Sequence, residues 1–243
     1  MKIDEITQCS TTIKHTKTCI DQALPMKNRD TPMPHTCRVI VVSGTMGSGK
    51  SAFVTSAFCS GGVSAIYKNC FEHVHLIMPI ETYESELDHP FQFLNKSRVH
   101  HELTSTILND IAQQAIEMKR AGGSSCLIID DYSELFKTKT IEQALKRLIN
   151  KSRHYKLMIV MTVLSLKAIP KNLRALIDCY VIFKPKSLLQ IEEFSQEVFE
   201  LPKSQLKSLF DYVFDAPFNF LLYDQRTNSY HKNFNLLKFN EEE

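Results

Sequence analysis

At 243 residues, with 43% hydrophobic and 23% charged content, the chain has the size and composition of one sizeable α/β domain or a domain with small additions. Lys and Arg number 29 against 27 Asp and Glu, a formal charge of +2 that says little by itself. No apolar run approaches the ~18–20 residues that span a bilayer, and "MKIDEITQCSTTIKHTK" has no signal-peptide core, so neither a membrane span nor secretion is expected and a cytosolic or nuclear compartment is the default.

In chain order, residues 1–35 are polar and end in Pro25, Pro32 and Pro34, which reads as an N-terminal arm or loosely held extension ahead of a domain over 36–243. "RVIVVS" (38–43) reads as a strand feeding a glycine loop, and "SAFVTSAFC" as the helix leaving it. "HVHLIMP" (73–79) is a second strand. Residues 104–120 place Ile107, Ile111, Ala115 and Met118 at helical spacing, closed by Gly122-Gly123. "CLIID" (126–130) is a short strand buried on both sides, and "TIEQALKRLINKS" (140–152) an amphipathic helix. "KLMIVMTVL" (156–164) and "CYVIFK" (179–184) are strands, and helices around 188–213 lead to two apolar arms around Asp224–Ser229, a terminal hairpin. Such alternation predicts an α/β fold: a mostly parallel central sheet with helices on both faces.

The 7 cysteines (Cys9, Cys19, Cys37, Cys59, Cys70, Cys126, Cys179) form no CxxC pair, and Cys37, Cys126 and Cys179 lie in or beside apolar strands as buried free thiols. Charge is unevenly spread. Between Lys137 and Lys186 twelve Lys or Arg meet two acids, +10 locally, with Glu241-Glu242-Glu243 among the compensating acids. That band is either a polyanion contact or a solvated helix face.

All 7 glycines precede Ser124, and three sit in "GTMGSGKS". Gly44-Thr45-Met46-Gly47-Ser48-Gly49-Lys50-Ser51 matches G-x-x-x-x-G-K-[ST] in full, between an apolar strand and a helix. There the glycines turn backbone N–H groups inward on a phosphate, and the helix N-terminus adds partial positive charge. Lys50 is directed at the β- and γ-phosphates of ATP, and Ser51 at Mg²⁺. Asp130, ending the "CLIID" strand, is the expected second Mg²⁺ group. Asp131 either polarises the attacking water, the favoured role, or caps the next turn. "HVHLIMP", lying between Lys50 and Asp130 in the chain, is read as the strand that one class of P-loop ATPases inserts between the cradle strand and the carboxylate strand. His73 and His75 share a face of it and read as packing or surface residues.

The cradle, the Asp130-Asp131 pair, Arg153-His154, the Pro170–Arg174 "P-x-x-x-R" stretch and "FLLYDQRTNSYHKNF" together resemble the genome-packaging ATPases of nucleocytoplasmic large DNA viruses, poxvirus-type members of the FtsK–HerA superfamily. The resemblance covers roughly residues 36–235. It implies a RecA-like P-loop ATPase domain that assembles as a homo-oligomeric ring, meets capsid or portal components, and hydrolyses ATP to drive double-stranded DNA into a capsid. It also implies work at viral assembly sites in the host cytoplasm and presence in the virion. Arg174 and Arg153 become candidate arginine fingers; either could instead face DNA or make an ion pair. In one respect the chain departs from the family. Where a glutamine usually ends the strand before Pro170, this chain has Leu164, with Thr162 and Ser165 as the nearest substitutes. Two rival readings follow: a nucleotide-binding assembly protein with decayed hydrolysis, which Leu164 favours, and a nucleotide kinase, for which no arginine lid is legible.

Overall fold

A computed structural model describes residues 21–239 apart from 28, 60–64, 86–88 and 200. Cys9, Cys19, Gly61, Gly62 and the Glu241–Glu243 tail, like residues 1–20 of the expected arm, lie outside the described residues. In chain order the elements begin with β1 (Val39–Ser43), α1 (Lys50–Phe58), β2 (His73–Ile77), α2 (Ile80–Glu84), β3 (Val99–His100) and α3 (Ser105–Arg120). Next come β4 (Ser125–Ile129), α4 (Lys139–Tyr155), β5 (Leu157–Val163), α5 (Lys171–Arg174) and β6 (Cys179–Phe183). The chain closes with α6 (Leu188–Glu197), α7 (Lys203–Val213), β7 (Phe220–Asp224), β8 (Ser229–Lys232) and β9 (Asn235–Leu236).

Nine strands form one sheet in the order β3-β2-β4-β5-β1-β6-β7-β8-β9. β3 through β6 pair in parallel, and β7, β8 and β9 continue the sheet antiparallel. Every residue of β1, β4, β5 and β6 is buried, which is the demand a central parallel strand makes and the reason these segments read as unbroken apolar runs. Each fully buried Val, Ile or Leu there contributes roughly 1.5–3 kcal/mol. Alternation along β1 sends Val39 and Val41 to one core layer and Ile40 and Val42 to the other.

The first layer lies under α3, α4, α6 and α7. α4 turns Ile141, Ala144, Leu145, Leu148 and Ile149 inward at 3–4 residue spacing and stops where Lys156 adopts a left-handed backbone, φ 51°. α3 starts where Thr104 accepts the Ile107 N–H (3.2 Å) and ends at Gly122, φ 92°. The second layer lies under α1. Residues 21–35, which the sequence assigns to a loosely held extension, pack into it through Leu24, Met26 and Met33, and Pro34 accepts from the Tyr67 hydroxyl at 2.9 Å.

One expected adjacency does not hold. The strand between the cradle strand β1 and the carboxylate strand β4 is β5; β2 lies on the far side of β4. Chain order does not set spatial order, and burial discriminates between the two. β5 is buried over all seven residues, whereas β2 starts with the half-buried His73 and Val74, as suits a strand near an edge. Cys37, Cys126 and Cys179 are buried free thiols; burial pushes that of Cys37 up to about 12.

Candidate nucleotide site

In a parallel sheet the C-terminal strand ends share one edge, and the described site is built there from β1, β4 and β5. The Gly44 N–H donates to Val163 O at 3.0 Å, tying the start of the loop to the end of β5. A Cβ at Gly44 would stand 2.5 Å from Ser48 Oγ and 2.8 Å from Phe183 Cβ, so only glycine fits. Gly49, at φ 105°, sits at the N-cap of α1 and supplies no side-chain cap. Hence the first N–H groups of α1 remain available to an anion in the loop, with the helix dipole behind them.

Lys50 folds back over the loop, its Nζ donating to Thr45 O at 3.0 Å. Burial pulls its ammonium below the ordinary lysine range, while Asp130 and Asp131 oppose that shift. Asp130 is buried at the tip of β4. Its carboxylate accepts from the Thr162 hydroxyl and is hydrogen-bonded to Ser51. Burial nevertheless raises the Asp130 carboxyl above the usual range, against those two bonds and the Lys50 charge. Such an all-oxygen pair, Ser51 hydroxyl and Asp130 carboxylate, suits a hard cation such as Mg²⁺.

Asp131 stands differently. Its backbone is left-handed (φ 60°), its N–H donates to Thr162 Oγ1 at 3.1 Å, and its Oδ2 accepts from Thr82 Oγ1 of α2 at 3.3 Å. The 3₁₀ turn that follows, Ser133–Lys137, has no side-chain cap. The cap alternative therefore finds no counterpart, and the carboxylate is exposed at the cradle's rim. Thr162 is the link in this corner. Seated in β5, the strand paired directly with β4, it bonds the carboxylate of one aspartate and the backbone of the next. Its sequence signal is a lone hydroxyl in the apolar run "LMIVMTV".

The two arginines are engaged elsewhere. Arg153 ends α4 at the N-terminal edge of the sheet, opposite the cradle, and pairs with Asp21; its side chain is 51% exposed. Arg174 is 10% exposed, donates Nε to Ile169 O at 2.8 Å and pairs with Glu197 of α6. Neither is a free cation at its own chain's cradle, because each is held by a carboxylate. Leu164 is 45% exposed beyond the end of β5. A glutamine reaches the same corner from another element: Gln190 of α6 lines a small space with Leu164 and Thr45, and its Oε1 accepts the Lys186 N–H at 2.9 Å. His75 is fully buried and stacks on His100 with ring centroids 6.3 Å apart, a packing residue of the β2–β3 edge.

Residues 28–204 match the model of the poxvirus A32 protein family. Among solved structures, the chain is similar to the genome packaging NTPase B204 from Sulfolobus turreted icosahedral virus 2 in complex with AMPPCP, with 16% identity and a TM-score of 0.59 over 82% of this chain and 98% of that one. It is also similar to B204, the DNA-packaging ATPase from Sulfolobus turreted icosahedral virus, with 14% identity and a TM-score of 0.61 over 79% and 95%. The cytoplasmic domain of the Thermomonospora curvata type VII secretion ATPase EccC shares 12% identity at a TM-score of 0.52 over 84% of this chain and 24% of that one. At these identities the likeness is one of fold: a P-loop ATPase core. A search of curated proteins returns no match.

Proposed function

The chain belongs to the poxvirus A32 protein family, and from that premise we propose that it is an ATP-hydrolysing motor that drives double-stranded DNA into a capsid during virion assembly. The observation that carries this reading is the convergence of Lys50, Ser51, Asp130 and Asp131 at the C-terminal ends of β1 and β4. Two solved proteins of similar fold are described as a genome packaging NTPase and a DNA-packaging ATPase.

In the proposed cycle the N–H groups of the 44–51 loop and α1 grip the β-phosphate, and Lys50 leaves Thr45 O to meet the β- and γ-oxygens. Ser51 and Asp130 would hold Mg²⁺, whose chemistry is to neutralise charge developing between those oxygens. Thr162 keeps the Asp130 carboxylate aimed. Asp131, free of burial and anchored by Thr82, orients and deprotonates the attacking water. Arg153, exposed at the opposite edge, is the better finger for a neighbouring subunit's γ-phosphate in a homo-oligomeric ring; Arg174 fastens the α5–α6 corner. Double-stranded DNA and capsid or portal components are the proposed partners, and the proposed place of work is the viral assembly site of the host cytoplasm. No helix among the described residues is long and apolar enough to cross a membrane.

The test is ATP turnover by the purified protein with and without long double-stranded DNA at low and moderate salt. DNA-stimulated turnover is expected. Tight ATP binding with no turnover in either condition would replace the motor by a nucleotide-gated assembly protein, the reading that the exposed Leu164 favours.

A further inference from the structure

Phe218 is an exposed aromatic in a conformation that its residue type disfavours. It is 70% exposed and has φ 64°, in the left-handed region where bulky residues are outliers. Exposure of a large apolar ring and a strained backbone both oppose its presence, so packing alone does not explain it. The turn that carries it is built to be rigid. Asn219 Nδ2 donates to Asp215 Oδ1 (2.8 Å), Asn233 Nδ2 donates to Asn219 Oδ1 (3.0 Å), and the Phe220 N–H donates to Asn233 Oδ1 (3.1 Å).

Its position relates it to the cradle. A Cβ on Gly49 would lie 3.3 Å from Phe218 Cδ1, so the ring touches the N-cap of the phosphate-binding helix. From there an apolar groove of about 290 Å³ runs along α1, walled by Ala52 and Phe53 on one side and by Phe218, Phe220 and Phe234 on the other. Sheet order gives the groove its meaning. The carboxylates that mark the γ-phosphate end lie on β4, to one side of β1; Phe218 precedes β7, to the other side. A nucleotide laid across the loop with its γ-phosphate toward Asp130 and Asp131 points its base at Phe218.

We propose that Phe218 is the base platform of this site: the nucleobase of a nucleoside triphosphate stacks on its ring in the groove between α1 and the 215–219 turn. The inference rests on the reading of the cradle as a nucleoside triphosphate site and adds how the base is held. Recognition there is by stacking. Among the described residues Ser56 is the one hydroxyl of the groove wall, and Asn219 is already committed to Asp215 and Asn233. A stacking platform accepts any purine, so ATP and GTP should bind within a few-fold of each other.

Equilibrium binding of ATP and of inorganic tripolyphosphate, a base-free probe of the cradle, tests this. Phe218→Ala should weaken ATP roughly 5- to 100-fold and leave tripolyphosphate unchanged. Phe218→Gly, which relieves the backbone, should do the same and guards against disturbance of the turn. Phe218→Trp should restore ATP binding. Because the chain has 0 Trp, that variant carries a single indole whose fluorescence ATP, but not tripolyphosphate, should quench. Wild-type ATP affinity in both small variants, or equal loss of both probes, would overturn the platform. Failure of the wild-type protein to bind either probe would overturn the nucleotide-site reading, and this inference with it.

Discussion

Lys50 projects from the first turn of α1 into the loop rather than into either core layer, so its contribution is to ligand and not to packing. Lys50→Ala should lower ATP turnover by roughly a hundredfold or more with the thermal midpoint nearly unchanged, as paired kinetic and calorimetric measurements would show. Asp131→Asn is a clean probe of its neighbour. Asparagine tolerates the left-handed backbone at 131, so the loop is preserved while the base is removed. ATP binding should persist and hydrolysis stop; normal hydrolysis would place the base elsewhere. Asp130 links chemistry to stability. Burial raises its carboxyl, so the native state holds that proton more tightly than the unfolded chain does. Its charge therefore costs stability progressively as pH rises from the unfolded carboxylate value through the folded one. Asp130→Asn keeps an oxygen for Thr162 and should raise the melting temperature by a few degrees at pH 7 while abolishing turnover.

Elements differ in how far local sequence reports on them. The cradle was fully legible, because a loop, its glycines and its helix are contiguous and carry their own geometric demands. So were α3 and α4, whose buried faces follow helical spacing. What stayed hidden was pairing at a distance. β2 and β5 are both apolar runs, and only burial in the folded sheet tells which separates β1 from β4. Arg174 meets Glu197 and Arg153 meets Asp21, contacts across 23 and 132 residues that no spacing announces. Two-residue β3 and β9 carry too little pattern to be read at all. The β2–β3 edge nonetheless has a measurable signature. Burial holds His75 down to about 4, against the ordinary 6.5, with the His100 and His73 charges adding to the shift. The unfolded chain thus binds a proton that the native chain refuses, and stability falls as pH drops from 6.5 toward 4. Denaturant unfolding across that window should lose on the order of 2–3 kcal/mol more in the wild-type protein than in His75→Leu.

Across the whole molecule the basic band divides into two kinds of charge. Lys167 and Arg174 are matched by Glu193 and Glu197 of α6, and Arg153 by Asp21. Lys146, Arg147 and Lys151 stand exposed on α4, with no ion pair among the described residues. If the proposed motor grips DNA through this band, those three side chains are among the ones free to contact phosphates. Their joint replacement by Ala should weaken DNA binding and flatten its dependence on log salt by about 2–3, from a loss of about 0.9 per phosphate contact. An unchanged slope would leave α4 as a solvated face. Replacing Lys167 and Arg174 instead should act mainly on thermal stability, by breaking the α5–α6 corner.

The two edges of the sheet bear on how copies of this chain can join. β3 and β9 are each two residues long, so among the described residues each terminal strand offers only a short row of amides on which another strand could template. Growth by β-addition, the route to fibrils, is thereby blunted at both ends, even though the interior holds long runs of valine, isoleucine and leucine that would aggregate if bared. Such short ends would leave helix and loop surfaces, rather than strand addition, to the homo-oligomeric ring proposed above.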